Sequence, residues 1–248
     1  MKFLYAILAC LFLIRANAQF AEDSTHYYYV SVSSTGTYNR TNQNQSYLFN
    51  NGLKFSTRKK NVALNFLNKW LYGQQNKVLT NNDGSSYLDV NLYKGPPRFN
   101  YWGLVNYNTS YSLKINSQLQ SGLGVTYAII DKKAIVLKLS DGIIYDYSNL
   151  TLKDKSRQVY GTPRNSFRLQ IKCNYRQKVF FTGIGFLQNS LQYASDYIVR
   201  TDLSLSVKIK KWLSFTSAFS YNLMSRNKTE NLFLTYGLVF ENYFGKRS

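Results

Sequence analysis

The chain has 248 residues, a formal net charge of +19 and an aromatic fraction of 17%. This length suits one barrel or one large sandwich, and 2 cysteines are too few for the disulfide framework of a small secreted scaffold. A basic, aromatic-rich chain can bind nucleic acid. Here the basic residues are spread along the chain instead of forming one patch, which argues against that class.

Residues 1–18 have the features of a secretory signal peptide. A lysine opens the segment, residues 3–14 form an apolar run, and a small-x-small cleavage site ends at Ala18. The run is shorter than the roughly 20 residues that a transmembrane helix needs. Cys10 lies in a lipoprotein-like box, but the apolar run continues past it, which favours a cleaved signal peptide. We therefore predict that residues 19–248 are exported as one domain.

Apolar and polar residues alternate along most of the remaining chain. In the segment 197–210, Tyr197, Val199 and Leu205 alternate with residues such as Arg200 and Asp202. Because a β-strand points successive side chains to opposite faces, one face of this segment is apolar and the other is charged. The repeated pattern predicts an all-β fold, a single antiparallel transmembrane β-barrel with lipid outside and polar groups inside.

We predict about twelve strands, each near the ten residues that a tilted strand needs to cross a bilayer. Two weaker segments leave ten or fourteen strands open. The predicted strands are 27–38, 46–57, 62–72, 85–93, 98–107, 110–129, 133–147, 165–176, 178–191, 197–210, 212–224 and 231–244.

Turn residues and charged clusters separate these segments. The segment 50–52 (Asn-Asn-Gly) is interpreted as a bulge and 149–163 as an outer loop. The predicted turns are 81–84 (Asn-Asn-Asp-Gly), 95–97 (Gly-Pro-Pro), and the charged segments 58–60, 131–133 and 210–211.

The alternation also predicts which way each side chain points, because odd- and even-numbered residues of a strand lie on opposite faces. Leu113, Ile115 and Leu123 are predicted to face lipid, while Gln118 and Gln120 face the interior. After removal of the leader, Cys173 is the one cysteine left, and its parity places it on the apolar face as a small hydrophobe. The final predicted strand ends on the aromatic Phe244, as outer-membrane barrels usually do, although four residues follow it.

Charged residues of the polar parity are the candidate functional residues. Basic residues outnumber acidic ones among them, so ion pairing alone cannot compensate every charge, and water or bound anions must solvate the surplus. This pattern fits either the lining of an anion-leaning pore or an ion-pair network that closes a narrow barrel. The predicted lumen-facing residues are Lys114, Arg168, Lys172, Arg176, Arg200, Asp202, Lys208 and Glu241.

Catalytic and metal-binding chemistry has little support in the sequence. His26 is the single histidine, and Ser24 or Ser31 are its nearest candidate nucleophiles. We expect no catalytic residue, no metal ligand set and no cofactor, because histidine, cysteine and carboxylates do not cluster.

Several segments resemble a family of bacterial outer-membrane proteins, the family of unknown function 481, often called salt-induced outer-membrane proteins. The resemblance is good over about 130 residues, mostly in the second half. It implies an outer-membrane barrel and supplies no catalytic residues, because that family has no assigned activity. The matching segments are 31–45, 120–127 (QSGLGVTY), 167–169, 196–197, 203–208 (LSLSVK), 211–214 (KWLS), 228–231 (KTEN), 236–238 and Phe244.

We therefore expect a non-enzymatic barrel in the outer membrane of a Gram-negative cell, either a narrow anion-leaning pore or an envelope-stabilising barrel. The expected partners are outer-membrane lipids, the phosphates of lipopolysaccharide, the barrel-insertion machinery and small anions, without nucleic acid. Two alternatives stay open at this point: an outer-membrane lipid-modifying hydrolase, and a secreted soluble lipocalin-like carrier.

Overall fold

The computed structural model describes residues 26–42 and 44–246, and the predicted leader lies outside these residues. No helix in the described ranges is long and apolar enough to span a bilayer. The strands are β1 (His26–Thr41), β2 (Asn44–Lys59), β3 (Val62–Gln75), β4 (Val78–Leu92), β5 (Phe99–Ser110), β6 (Ile115–Asp131), β7 (Ile135–Thr151), β8 (Arg157–Tyr175), β9 (Val179–Ser190), β10 (Tyr197–Lys210), β11 (Leu213–Met224) and β12 (Thr229–Lys246).

The strands form a closed antiparallel barrel in which each strand pairs with its neighbours in sequence. β1 closes the barrel against β12, with Tyr28 opposite Phe244 and Gly36 opposite Tyr236. Closure leaves no unpaired strand edge, so every strand can cross an apolar phase with its backbone groups hydrogen-bonded. We call the end with the start of β1 and the end of β12 the proximal end, and the opposite end the distal end.

The apolar parity covers the outer wall. Leu123 (71% exposed), Ile143 and Leu232 point away from the interior, together with the apolar residues of β10. Aromatic rings pack against each other near the proximal end, with the rings of Phe99 and Tyr127 at 4.9 Å and those of Trp212 and Phe240 at 5.9 Å. A transmembrane barrel needs an apolar outer wall with aromatic girdles, whereas a soluble carrier needs a polar outer surface.

The exposed position of Leu123 gives a direct test of this outer wall. We expect Leu123→Lys to lower the free energy of unfolding in lipid by about 2–4 kcal/mol, because a charge near the middle of the bilayer is costly. Lys59→Leu is the control, because it changes the polarity of an exposed side chain at the end of a strand, near the proximal turn. Urea unfolding in lipid vesicles measures the free energy of unfolding of both variants. An unchanged stability of Leu123→Lys would contradict lipid contact at this position.

The number of strands is confirmed. The bulge predicted at 50–52 is not formed, since the register of β2 with β1 and β3 is continuous there, and three other local predictions are wrong. The segment 81–84 lies inside β4, and the turn before β4 is formed by Asn76 and Lys77, both with positive φ. Asn81 and Asp83 fit inside a strand because they face the lumen and find side-chain partners there. The segment 149–163 is mostly strand, since β7 and β8 extend beyond the apolar band and carry polar residues there.

The third error concerns the start of β6, which was predicted at Ser110. Residues 111–114 instead form the β5–β6 turn, and the register shifts between Ile115 and Ser117. The turn and the bulge reverse the facing of this segment. Leu113 and Ile115 are 6% and 4% exposed and point inward, whereas the parity beyond the bulge is as predicted.

Candidate functional site

The lumen of the barrel is the candidate functional site, and its distal part is filled on one side by a buried ionic cluster. Arg164 on β8 donates from Nε to Asp146 at 2.7 Å and from Nη2 to Asp196 at 2.9 Å. The same Nη2 donates to the Tyr160 hydroxyl at 2.8 Å. The side chains of Arg164 and Asp146 are fully buried, and we call these four residues the Arg164 cluster.

Amides and a second arginine extend the Arg164 cluster towards β6 and β10. Gln118 donates to both carboxylate oxygens of Asp146 at 3.1 Å, and Arg200 donates to Gln118 Oε1 at 2.9 Å. Gln120 donates to Gln188 at 3.1 Å, from β6 to β9. Two carboxylates therefore compensate the charge of Arg164, and Arg200 is a second cation nearby. This side of the lumen is a packed wall whose polar groups satisfy one another.

A turn closes part of the distal mouth. The β5–β6 turn folds inward, and the Leu113 carbonyl accepts hydrogen bonds from Asn227 at 2.6 Å and Thr229 at 3.2 Å. Asn231 donates to Ser112 Oγ at 2.9 Å. In the closed strand order, β5 and β6 stand halfway round the barrel from β11 and β12. The contact therefore runs across the lumen from one wall to the other.

Apolar packing supports the inward position of the β5–β6 turn. Leu113 belongs to a buried cluster with Ile115, Leu150, Tyr160, Ile198 and Met224. The guanidinium of Arg226 lies 4.6 Å from the ring of Tyr160 and 4.5 Å from the ring of Tyr193. The β5–β6 turn is therefore held across the distal mouth by an apolar cluster, with cation–π contacts beside that cluster, and by hydrogen bonds that cross the lumen.

Below the β5–β6 turn lies a cavity of about 480 Å³ with a mixed polar and apolar lining. Hydroxyl and amide side chains alternate in its lining with apolar side chains such as Leu67 and Phe219, from β1–β6 and β9–β12. Lys69 on β3 crosses the lumen to Asp202 on β10, with Nζ at 3.3 Å from Oδ2, and both side chains are partly exposed (41% and 48%). Ser220 also donates to Asp202, at 2.6 Å. This partly exposed ion pair spans the lumen at the level of the cavity.

The proximal part of the lumen is rich in basic residues. Only Asp89 and Glu241 face them within the described strands below the rim, and Glu241 pairs with Lys208 at 2.7 Å. Asp89 accepts from the amides of Asn65 and Asn91. We call this region the basic vestibule. Its basic residues, placed on the lumen face by the strand register, are Lys54, Arg58, Lys138, Arg168, Lys172 and Lys208.

The comparisons with known proteins agree with this architecture. The profile of the family "Protein of unknown function, DUF481" matches residues 32–238. The chain belongs to this family. No curated protein sequence matches the chain.

Two solved outer-membrane barrels are similar to the DUF481 chain in fold alone. A NanC porin has a TM-score of 0.51 and 12% identity, covering 85% of this chain and 98% of its own. The translocator domain of the autotransporter NalP from Neisseria meningitidis has a TM-score of 0.50 and 11% identity, with 88% and 89% covered.

Most residues predicted to face the lumen of the DUF481 barrel do so. Arg200 and Asp202 join the distal and central contacts described above. Two residues do not face the lumen. Lys114 lies in the β5–β6 turn with φ 54° and is exposed, because β6 begins one residue later. Arg176 lies in the β8–β9 turn with φ 51°, and its guanidinium is 5.1 Å from the ring of Tyr175. The predicted residues on the lumen face are Arg168, Lys172, Arg200, Asp202, Lys208 and Glu241.

The main residues missed by sequence reasoning are Arg164, Asp146, Asp196 and Lys69. Arg164 was missed because 149–163 was interpreted as a loop, which placed the start of the strand after it. Its parity with Arg168 and Lys172 was an available signal for an inward direction. Parity gave no signal for the contacts of Asp196 and Lys69, because Asp196 lies in the β9–β10 turn outside the strands and Lys69 reaches across the lumen to β10.

No metal centre is assembled by the described residues of the DUF481 barrel. Residues 26–42 and 44–246 contain no group of three or more histidine, cysteine and carboxylate side chains placed to hold a metal ion. Ser31 is buried on the lumen face of β1, opposite Lys54 of β2. Cys173 is a free thiol on the outer face of β8, as its parity predicts.

Proposed function

We propose that this barrel is a narrow outer-membrane pore that favours anions and is narrowed distally by the β5–β6 turn. The observation that carries the proposal is the basic vestibule beside a cavity inside the lumen. A purely structural barrel has no use for a surplus of one charge inside, whereas a pore uses it to select ions. The Arg164 cluster then acts as a rigid wall, and the route runs along the β1–β4 and β10–β12 side.

The electrostatic balance differs between the two parts of the lumen, which supports the anion preference. In the distal part, Arg164 is compensated by Asp146 and Asp196, and Lys69 by Asp202. In the vestibule, Asp89 is held by amides, and Glu241 is engaged by Lys208. The positive potential of a narrow lumen with a low-dielectric wall attracts anions and repels cations.

Planar-bilayer recording with the full chain tests the proposal. We expect stepwise conductance. In a potassium chloride gradient, the reversal potential should have the sign of the chloride equilibrium potential. A folded barrel without conductance would support the envelope-stabilising alternative, and cation selectivity would contradict the assignment of the vestibule.

Lys54 provides a variant that isolates the charge of the vestibule. Its ammonium lies 5.4 Å from the ring of Tyr29, inside the lumen. We expect Lys54→Glu to lower the chloride-to-potassium permeability ratio about two- to fivefold, because inverting a unit charge in a weakly screened lumen changes the local potential substantially. Lys59→Glu, the matched control on the same strand at the exposed turn, should leave the ratio nearly unchanged. Equal effects of both variants would place selectivity outside the vestibule.

A further inference from the structure

One arginine of the basic vestibule stands in a setting that differs from the others, and two glycines create it. Gly124 on β6 and Gly142 on β7 face each other, and a Cβ on either would lie 2.5–2.6 Å from Trp102 Cζ2. Only glycines leave room for the indole to lie flat against this wall. The indole Nε1 donates to the Val125 carbonyl at 3.2 Å, which fixes the ring.

Arg168 lies between this indole and a second ring. Its guanidinium carbon is 5.9 Å from the centroid of Trp102 and 6.0 Å from that of Phe186. Both Nε and Nη2 donate to Ser140 Oγ, at 3.3 and 3.1 Å. Ser140 also bonds to Thr126, so it is itself held in place. The guanidinium is therefore oriented by two rings and one hydroxyl.

No carboxylate lies within ion-pair distance of Arg168 among residues 26–42 and 44–246. The Tyr87 hydroxyl hydrogen-bonds with Arg168, and the Asp89 carboxylate interacts with it electrostatically from a greater distance. Asp89 is engaged by the amides of Asn65 and Asn91, which leaves the charge of Arg168 without a direct counter-ion. Arg168 differs in this from Arg164, whose charge two buried carboxylates compensate.

We propose that Arg168, Trp102 and Phe186 form a binding site for small carboxylates that carry a planar apolar group. Ser140 occupies the Nε–Nη2 edge, so a carboxylate would approach the remaining N–H groups of Nη1 and Nη2 and would share the guanidinium with the Tyr87 hydroxyl. The planar group of the ligand would lie against the half-buried ring of Phe186, whose face favours such contact, while Trp102, 6% exposed, supports the guanidinium from the wall. This inference rests on the proposed pore function and names the class of solute that the vestibule selects.

Equilibrium dialysis of the detergent-solubilised full chain against benzoate tests the site without requiring conductance. We expect saturable benzoate binding, with acetate and the uncharged isostere benzamide each at least about tenfold weaker, since each lacks one half of the recognition. Arg168→Gln should weaken benzoate binding by about tenfold or more. Arg176→Gln, the same substitution on the exposed turn that follows β8, should bind as the wild type does.

Further variants keep the test decisive. If Arg168→Gln fails to fold, Arg168→Lys retains the charge but loses the planar fork, and its benzoate affinity should fall by roughly three- to tenfold. Equal binding of benzoate by wild type and both Arg168 variants would overturn the site, as would equal affinity for benzamide and benzoate, or no benzoate binding by the wild type.

The outcome is separable from that of the proposed pore. Chloride selectivity without benzoate binding would reject the Arg168 site and retain the pore. Binding that depends on Arg168 in a barrel without conductance would reject the pore and retain the site.

Discussion

Replacing Arg164 with alanine is expected to lower the free energy of unfolding by about 3–5 kcal/mol, because it leaves buried carboxylates without a counter-ion. Arg164 and Asp146 are fully buried, and Asp196 is 1% exposed. The same change removes the partner of the Tyr160 hydroxyl and hydrogen bonds to the Asp196 carboxylate. Urea unfolding in lipid vesicles, or the shift of the folded band on heating in detergent gels, measures the loss.

Arg176→Ala is the matched control for this prediction. It removes the same side chain from the exposed turn after β8, where the guanidinium lies 5.1 Å from the ring of Tyr175. We expect a change below about 0.5 kcal/mol there. Combining Arg164→Met with Asp146→Asn and Asp196→Asn should recover part of the stability, since no buried carboxylate is then left without a counter-ion. If Arg164→Ala alone were as stable as the control, the Arg164 cluster would not hold the wall together.

The alternation of apolar and polar residues predicted the strands and their facing well, wherever one face is continuously apolar. β10 was predicted with the bounds that the structure shows, because its apolar side faces lipid along its whole length. The prediction failed where strands pass beyond the apolar band. There β4, β7 and β8 carry asparagine, aspartate and serine, which favour turns in isolation but face water or the lumen here.

The candidate site was predicted only in part, for a topological reason. Parity identifies which residues face the lumen, so Arg168, Arg200 and Asp202 were found from the sequence. Parity does not give the partner on the far wall, because contacts such as Lys69 with Asp202 depend on barrel closure and strand tilt. The Arg168 site has the same property, since its rings come from β5 and β9 and its glycine wall from β6 and β7.

Shortening the β5–β6 turn is expected to raise the single-channel conductance by roughly threefold or more, because apolar constrictions limit flow in narrow pores. The variant replaces residues 111–114 with Asn-Gly, a pair that suits a two-residue hairpin. This removes Leu113 and the acceptor of the hydrogen bonds from Asn227 and Thr229. Planar-bilayer recording gives the conductance, and heat-modified mobility in detergent gels shows whether the variant has folded.

The control for the shortened turn comes from the same end of the barrel. The β7–β8 turn, residues 152–156, is almost wholly exposed, and its hydrogen bonds are internal, with Asp154 accepting from Ser156 at 2.6 Å. Replacing it with Asn-Gly changes loop length without opening the lumen, so its conductance should match the wild type. Equal conductance in all three proteins would mean that ions do not pass beneath Leu113. A rise in the β5–β6 variant alone would identify the contact between Leu113 and Asn227 as the element that restricts the distal mouth.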